Sequence, residues 1–218
     1  LRDRPGTAGD TPLLGTRYNQ FAGGSVERLA AISDGIFAVG MTLLVLELKV
    51  PPHSAIHSEA ELCAALAEMA PHLLFYVMSF LTLGIFWVGQ QTQLNHLAQS
   101  DRNLSWLHLA FLFAVTMMPF STSMMGEFLH FRSALLLYWL NILVLGALLL
   151  ACWRYAAGHA LLKPDLPADT GGHVERRILI AQALYAVGAA LCFFGTLYSI
   201  GFILLVQANY ALGLVRKI

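Results

Sequence analysis

Arg28 and Asp34 place ionisable groups at the start of a long apolar run, Arg28-Leu-Ala-Ala-Ile-Ser-Asp34-Gly-Ile-Phe-Ala-Val-Gly-Met-Thr-Leu-Leu-Val-Leu-Glu47. An apolar segment of about 20 residues spans a hydrocarbon core. Charge inside or at the rim of one is costly, so both residues need partners or water, and the helix reads as a functional element as well as an anchor. They are six residues apart and lie on different helix faces, which excludes an i,i+4 pair. Each must find its partner on another helix or in another subunit. Arg28 also has a plainer reading, as a side chain snorkelling to the headgroups.

Further along the helix, Thr42 supplies an interior hydroxyl. At 100° per residue, Val39, Thr42, Leu43 and Leu46 fall within about 100° of one another, and Ile32 and Gly35 extend that stripe toward the helix start. A packing seam against neighbouring helices would look like this. So would a pore wall, in which apolar rings gate by dewetting and a hydroxyl touches a partly dehydrated ion.

The other titratable and polar residues offer less. His53 and His57 are four apart but have no evident third ligand, so no metal site is expected. His108 reads as a satisfied histidine at a helix interface. Ser79, Trp87, Gln90, Gln91, Ser105, Thr116, Asn141, Gln182, Gln207 and Asn209 read singly as interhelical hydrogen-bonding groups. Cys63, Cys152 and Cys192 have no paired spacing and read as small packing residues. The chain has no His/Glu metal motif, no Gly-x-Ser-x-Gly elbow and no acidic cluster, so an enzyme is not expected, nor any cofactor.

The elements that must hold these residues follow from composition. Of 218 residues, 57% are hydrophobic and only 12% charged, and the mean hydropathy is +0.64. Soluble domains carry about 25% charged residues, so this is a chain for a lipid bilayer. With zero net charge it has no electrostatic case for nucleic acid. Six apolar segments stand out, at about 29–49, 72–94, 104–124, 134–157, 177–195 and 197–213, giving an all-α polytopic fold. An amphipathic helix over Ser58–Met69 should lie along the interface before Pro71. Pro119 predicts a kink or early helix end in the third span. The turn between the last two spans, near Gly195-Thr196, is very short, and one long broken helix competes with it. Residues 162–173 read as a polar loop.

With six spans, one side of the membrane holds Arg2, Arg4, Arg17, Arg28, Arg102, Arg154, Lys163, Arg176, Arg177, Arg216 and Lys217, and the other only Lys49 and Arg132. That asymmetry places both termini in the cytoplasm of an inner (plasma) membrane protein. Residues 1–24, rich in Gly, Pro, Thr and Arg, form a flexible cytoplasmic tail, and 25–218 form one six-helix domain.

The pattern Arg28-x-x-x-Ile-Ser-Asp34-Gly, then Thr42-Leu-Leu-x-Leu-Glu47 and Lys49-Val-Pro51, resembles the first helix of the prokaryotic transmembrane protein 175 family of potassium-permeable channels. Tyr76-x-x-Ser-Phe80, Trp87, Asp101-Arg-Asn-Leu104 and Met118-Pro-Phe-Ser-Thr122 extend the likeness across residues 25–130; the last three spans match by topology alone. The resemblance implies a homotetramer in the lipid bilayer, with no P-loop filter and the first helix of each subunit lining the pore for monovalent cations, potassium foremost. It places Val39 at the tightest apolar ring, Leu43 and Leu46 at outer apolar layers, and Thr42 at the hydroxyl ring tied to potassium preference. It assigns Arg28, Ser33, Asp34, Trp87 and Gln90 to a network holding the pore helix to its neighbours. Two departures stand out. Ile32 replaces the usual Phe before Ser-Asp, and Gln90 stands where many members have His, so a titrating charge there is lost. Val39 is also shorter than the usual Ile or Leu, which implies a wider constriction. A weakly selective potassium leak channel is the leading expectation; a proton-coupled transporter using Asp34 is the alternative.

Overall fold

The computed structural model describes residues 25–167 and 169–212; the expected tail over 1–24, with Arg216 and Lys217, lies outside them. Helices begin where the sequence supplies caps. Ser25 Oγ accepts the Arg28 amide at 3.3 Å and opens α1, Val26–Leu43. Ser58 does the same for Glu61 and opens α2, Glu59–Glu68. After α3, Ala70–Asn95, Asp101 accepts the Leu104 amide at 2.8 Å and opens α4, Arg102–Thr116. Each cap satisfies a first-turn amide that has no carbonyl within its helix. The chain continues through α5 (Met118–Glu127), α6 (Arg132–Gly158), α7 (Thr170–Ala190) and α8 (Thr196–Leu212).

Proline marks two of the breaks. Pro71 and Pro119 stand in the first turns of α3 and α5, where the missing N–H would have no partner anyway. The third expected span is therefore two helices meeting at Met117, as Pro119 predicts. α1 tightens into a 3-10 turn over Leu44–Glu47 and so stops short of Lys49. α7 begins at Thr170, so the last residues of the expected 162–173 loop are helical.

Five helical stretches of 22 to 27 residues are long and apolar enough to cross a membrane: Val26–Glu47, Ala70–Asn95, Arg102–Glu127, Arg132–Gly158 and Thr170–Phe193. At 1.5 Å per residue they cover about 33–40 Å, against a hydrocarbon core of about 30 Å. The chain is an all-helical, multi-pass membrane protein. The remaining apolar helix, α8, has 17 residues and doubles back on α7, so the alternative of one long broken helix fails. Gly188 permits that hairpin: a Cβ there would sit 2.7 Å from Ile203 Cγ1, and the Ser199 hydroxyl donates to the Gly188 carbonyl.

α6 is the central column, burying Leu135, Tyr138, Ile142, Leu145, Leu149 and Trp153 against α4, α5 and α7. α1 packs on α3 and α4, and α8 on α3. α2 buries none of its residues. Cys63, on α2, is exposed and does not pack as expected, because its helix stands off the bundle; Cys152 and Cys192 are buried.

The ends of the bundle sort the connections. The α3–α4 and α6–α7 connections lie side by side, with the Ala98 amide donating to Leu161 O at 2.9 Å and the Lys163 amide to His96 O at 3.0 Å. At the other end, Lys49 Nζ donates to Glu127 Oε1 at 2.6 Å.

Candidate functional site

α1 has two faces. Leu29, Ser33, Phe37, Gly40 and Leu44 are buried against the bundle. Spacings of three and four residues put them on one side of the helix. Ile32, Gly35, Val39, Thr42, Leu43 and Leu46 face away and stay exposed; Val39 is 57% and Leu46 70% accessible. With Thr116 of α4, most of this stripe lines a shallow apolar groove. The stripe is therefore not a seam within its own bundle.

The Thr42 hydroxyl donates to the Val39 carbonyl at 2.8 Å. Its proton is thereby committed to the backbone, and both lone pairs of the oxygen are free to accept.

The buried face carries a polar knot. Ser33 Oγ, Gln90 Nε2 and His108 Nε2 close a triangle with edges of 2.7, 2.8 and 2.9 Å, joining α1, α3 and α4. Ser33 also donates to the Leu29 carbonyl at 2.6 Å. The three contacts are met when the Gln90 amide donates one proton to Ser33 and the other to His108, and Ser33 shares its own between Leu29 and His108; among the described residues Gln90 Oε1 has no partner. His108 Nε2 then acts as an acceptor on a neutral ring. All three residues are buried. His108 of α4 thus brings an imidazole to Ser33 beside the Gln90 amide.

Asp34 lies on the flank of α1 and is exposed. Its Oδ1 accepts from Trp87 Nε1 at 2.8 Å and from Gln91 Nε2 at 2.6 Å. Trp87 and Gln91 are one turn apart on α3, so both reach the same oxygen. Arg28 is exposed, and among the described residues no carboxylate lies within 4.0 Å of its guanidinium.

Five expected network residues thus divide. Ser33 and Gln90 meet in the knot, Asp34 and Trp87 meet on the flank, and Arg28 joins neither. The sequence reading placed Gln91 and His108 inside spans but left both out of the site. The i,i+4 spacing of Gln91 from Trp87 could have found the first; nothing local marks the second. The other resembling motifs serve the core. Asp101 caps α4 and accepts from Tyr155 OH at 2.7 Å. Thr122 donates to Ser79 at 2.7 Å, while Thr82 pairs with Tyr138 OH at 3.0 Å and receives Gln207 at 2.6 Å. Among the described residues no three His, Cys, Asp or Glu side chains gather for a metal, and His53 and His57 form no such group.

The family described as "Endosomal/lysosomal potassium channel TMEM175" matches residues 28–119, from Arg28 of α1 to Pro119 at the start of α5. A potassium channel of Streptomyces collinus is 32% identical over 174 residues, covering 76% of this chain and 82% of its own length. The chain belongs to the TMEM175 family. A potassium channel of Chamaesiphon minutus is 29% identical over 189 residues, covering 85% of this chain and 93% of that one. The crystal structure of a lysosomal potassium-selective channel TMEM175 homolog from the same organism superposes with a TM-score of 0.75 at 27% identity, over 86% of this chain and 96% of that one. TMEM175 proteins are ion channels and not enzymes, and these relatives place the chain in the prokaryotic part of the family.

Proposed function

We propose that the chain is one subunit of a homotetrameric potassium-permeable leak channel of the inner membrane, conducting along the outward face of α1. One observation carries this reading: an apolar stripe with a single hydroxyl is left uncovered on α1 while the opposite face is locked into the bundle. Four copies turned so that these stripes meet would enclose a narrow path. Val39, Leu43 and Leu46 form apolar rings that hold water out until the path widens. Thr42, its proton held by Val39, offers an oxygen to a partly dehydrated potassium ion. Arg28 finds its acceptor on a neighbouring subunit.

α8 is the sixth span; at 17 residues it is at the short end of what crosses a bilayer. Arg28, Arg102, Arg154, Lys163, Arg176 and Arg177 belong to one end of the bundle and Lys49 and Arg132 to the other, which favours cytoplasmic termini. A proton carrier at Asp34 gains no support, because its Oδ1 already takes two hydrogen bonds from α3.

The test is flux from liposomes under opposed potassium and sodium gradients. Thr42→Ala should lower potassium over sodium permeability, and Leu43→Ala or Leu46→Ala should raise basal current. Absence of potassium flux, or flux indifferent to all three changes, refutes the channel. Saturable, pH-driven transport lost in Asp34→Asn would replace it with the transporter.

A further inference from the structure

We propose that an anionic phospholipid binds at Arg177 and Tyr210, one acyl chain lying along the outer of the two apolar clefts that these residues divide and the first carbons of the other entering the inner one. The inner cleft, of about 90 Å³, runs between α3, α6, α7 and α8, past Ile85, Phe86, Gly89 and Leu149. The outer cleft, of about 450 Å³, runs along α1 and α3, past Met41, Phe80, Gly84 and Val88. Arg177 and Tyr210 line both. A ligand with two chains and one head fits this forked shape; a single-chain amphiphile would fill one arm.

Charge and polarity narrow the head. Arg154 is held by Glu175 at 2.9 Å, whereas among the described residues Arg177 has no carboxylate within 4.0 Å. A phosphate takes the fork of an arginine well. Arg177 is at the cation-rich end of the bundle, and basic pockets between membrane helices on that side suit anionic headgroups. The inner cleft also has a polar interior. Tyr185 is 2% accessible, and among the described residues its hydroxyl has no partner and the buried Gln182 Oε1 has none either. Gln182 lies five residues beyond Arg177, about 7.5 Å deeper along the helix. Pure hydrocarbon would leave these groups orphaned, while the ester neck of a phospholipid gives a rotated Gln182 amide something to bond. Gly146 makes room for the Gln182 amide, since a Cβ there would lie 1.9 Å from Nε2.

The proposal uses the membrane placement given above but not conduction. Its test is native mass spectrometry of the intact channel, equilibrated with equal amounts of dioleoylphosphatidylglycerol and dioleoylphosphatidylcholine. The wild type should retain the anionic lipid in clear excess. Arg177→Gln should cut that excess about fivefold, the worth of one cation near a headgroup, and Arg177→Lys should keep most of it. Arg176→Gln should leave it unchanged, and Ala181→Trp, which fills the inner cleft, should lower retention of both lipids. Four results overturn the proposal: equal retention of the two lipids by the wild type, an excess that survives Arg177→Gln, an equal loss in Arg176→Gln, or displacement by millimolar inorganic phosphate. Retention is read without current, so a protein that binds the lipid yet passes no potassium refutes the channel alone.

Discussion

Ser33→Ala should loosen α1 by an amount that the knot geometry sets. The change removes an oxygen that accepts from Gln90 at 2.8 Å and contacts His108 at 2.7 Å, but Gln90 and His108 stay 2.9 Å apart and keep their own contact. Two interhelical bonds are lost. Such bonds in membrane proteins average about 0.6 kcal/mol and reach about 1.7. The expected cost is thus about 1.2 kcal/mol per subunit, with an upper bound of about 3.4. For a chain of this size that lowers the midpoint by roughly 2–5 °C. A double-mutant cycle of Ser33→Ala with His108→Leu isolates one edge of the triangle and should return a coupling of about 0.6 kcal/mol. Thermal unfolding in detergent, followed by tryptophan fluorescence, is the assay, with ion selectivity measured on the same variants. A coupling indistinguishable from zero would mean that Ser33 and His108 do not hold α1 to α4, and the account of the buried face would fall with it.

Glycine substitutions separate stability from conduction. Gly188→Ala forces a Cβ to 2.7 Å from Ile203 Cγ1 and 3.2 Å from Phe202 Cδ1, so it should cost about 1–3 kcal/mol in the same unfolding assay. Gly35→Ala meets nothing within 4 Å and should stabilise α1 by up to about 1 kcal/mol, while the added methyl on the outward stripe lowers flux; unchanged flux would count against that stripe as the path. The Glu127 carboxylate, hydrogen-bonded to Lys49 at 2.6 Å, holds the Lys49 ammonium above the usual lysine range. Whatever the pair contributes is therefore present below the ordinary lysine value and lost as pH rises through the raised one. Lys49 side-chain NMR shifts should titrate later in the wild type than in Glu127→Gln, and salt should shrink the difference.

How much could be read from the sequence depended on how local the signal was. The break at Met117, the start of α3 and the α7–α8 turn were legible because Pro119, Pro71 and Gly195-Thr196 act on their own neighbours. The outward stripe was legible because helical periodicity needs no partner to be seen. That it faces away from its own bundle was not, since periodicity says which residues share a face and not what covers it. His108 belongs to the site only because α4 crosses α1 at Ser33, 75 residues away in sequence. Gln91 was nearer to hand: once Asp34 needed a donor and Trp87 was in view, one turn along α3 was the place to look. Cys63 shows the opposite error, where an apolar residue type was trusted over the exposure of the helix carrying it.

The network and the proposed conducting face are linked by rotation. Taking Ser33 as the zero of azimuth on α1, at 100° per residue, the buried Leu29, Phe37, Gly40 and Leu44 fall within about 40° of it, and Thr42 stands about 180° away. Asp34 lies at about 100°, on the flank. A single anchor at zero would leave the helix free to roll about its axis, because Leu, Phe and Gly knobs resist sliding better than small rotations. Two anchors at different azimuths, Ser33 on α3 and α4 and Asp34 on α3 alone, remove that freedom. A roll toward the neighbouring residue would be 100°, enough to carry Thr42 off the axis that four subunits would share in the proposed tetramer. On this argument the polar side chains never need to touch an ion to decide which one passes: they fix the angle at which the hydroxyl is presented.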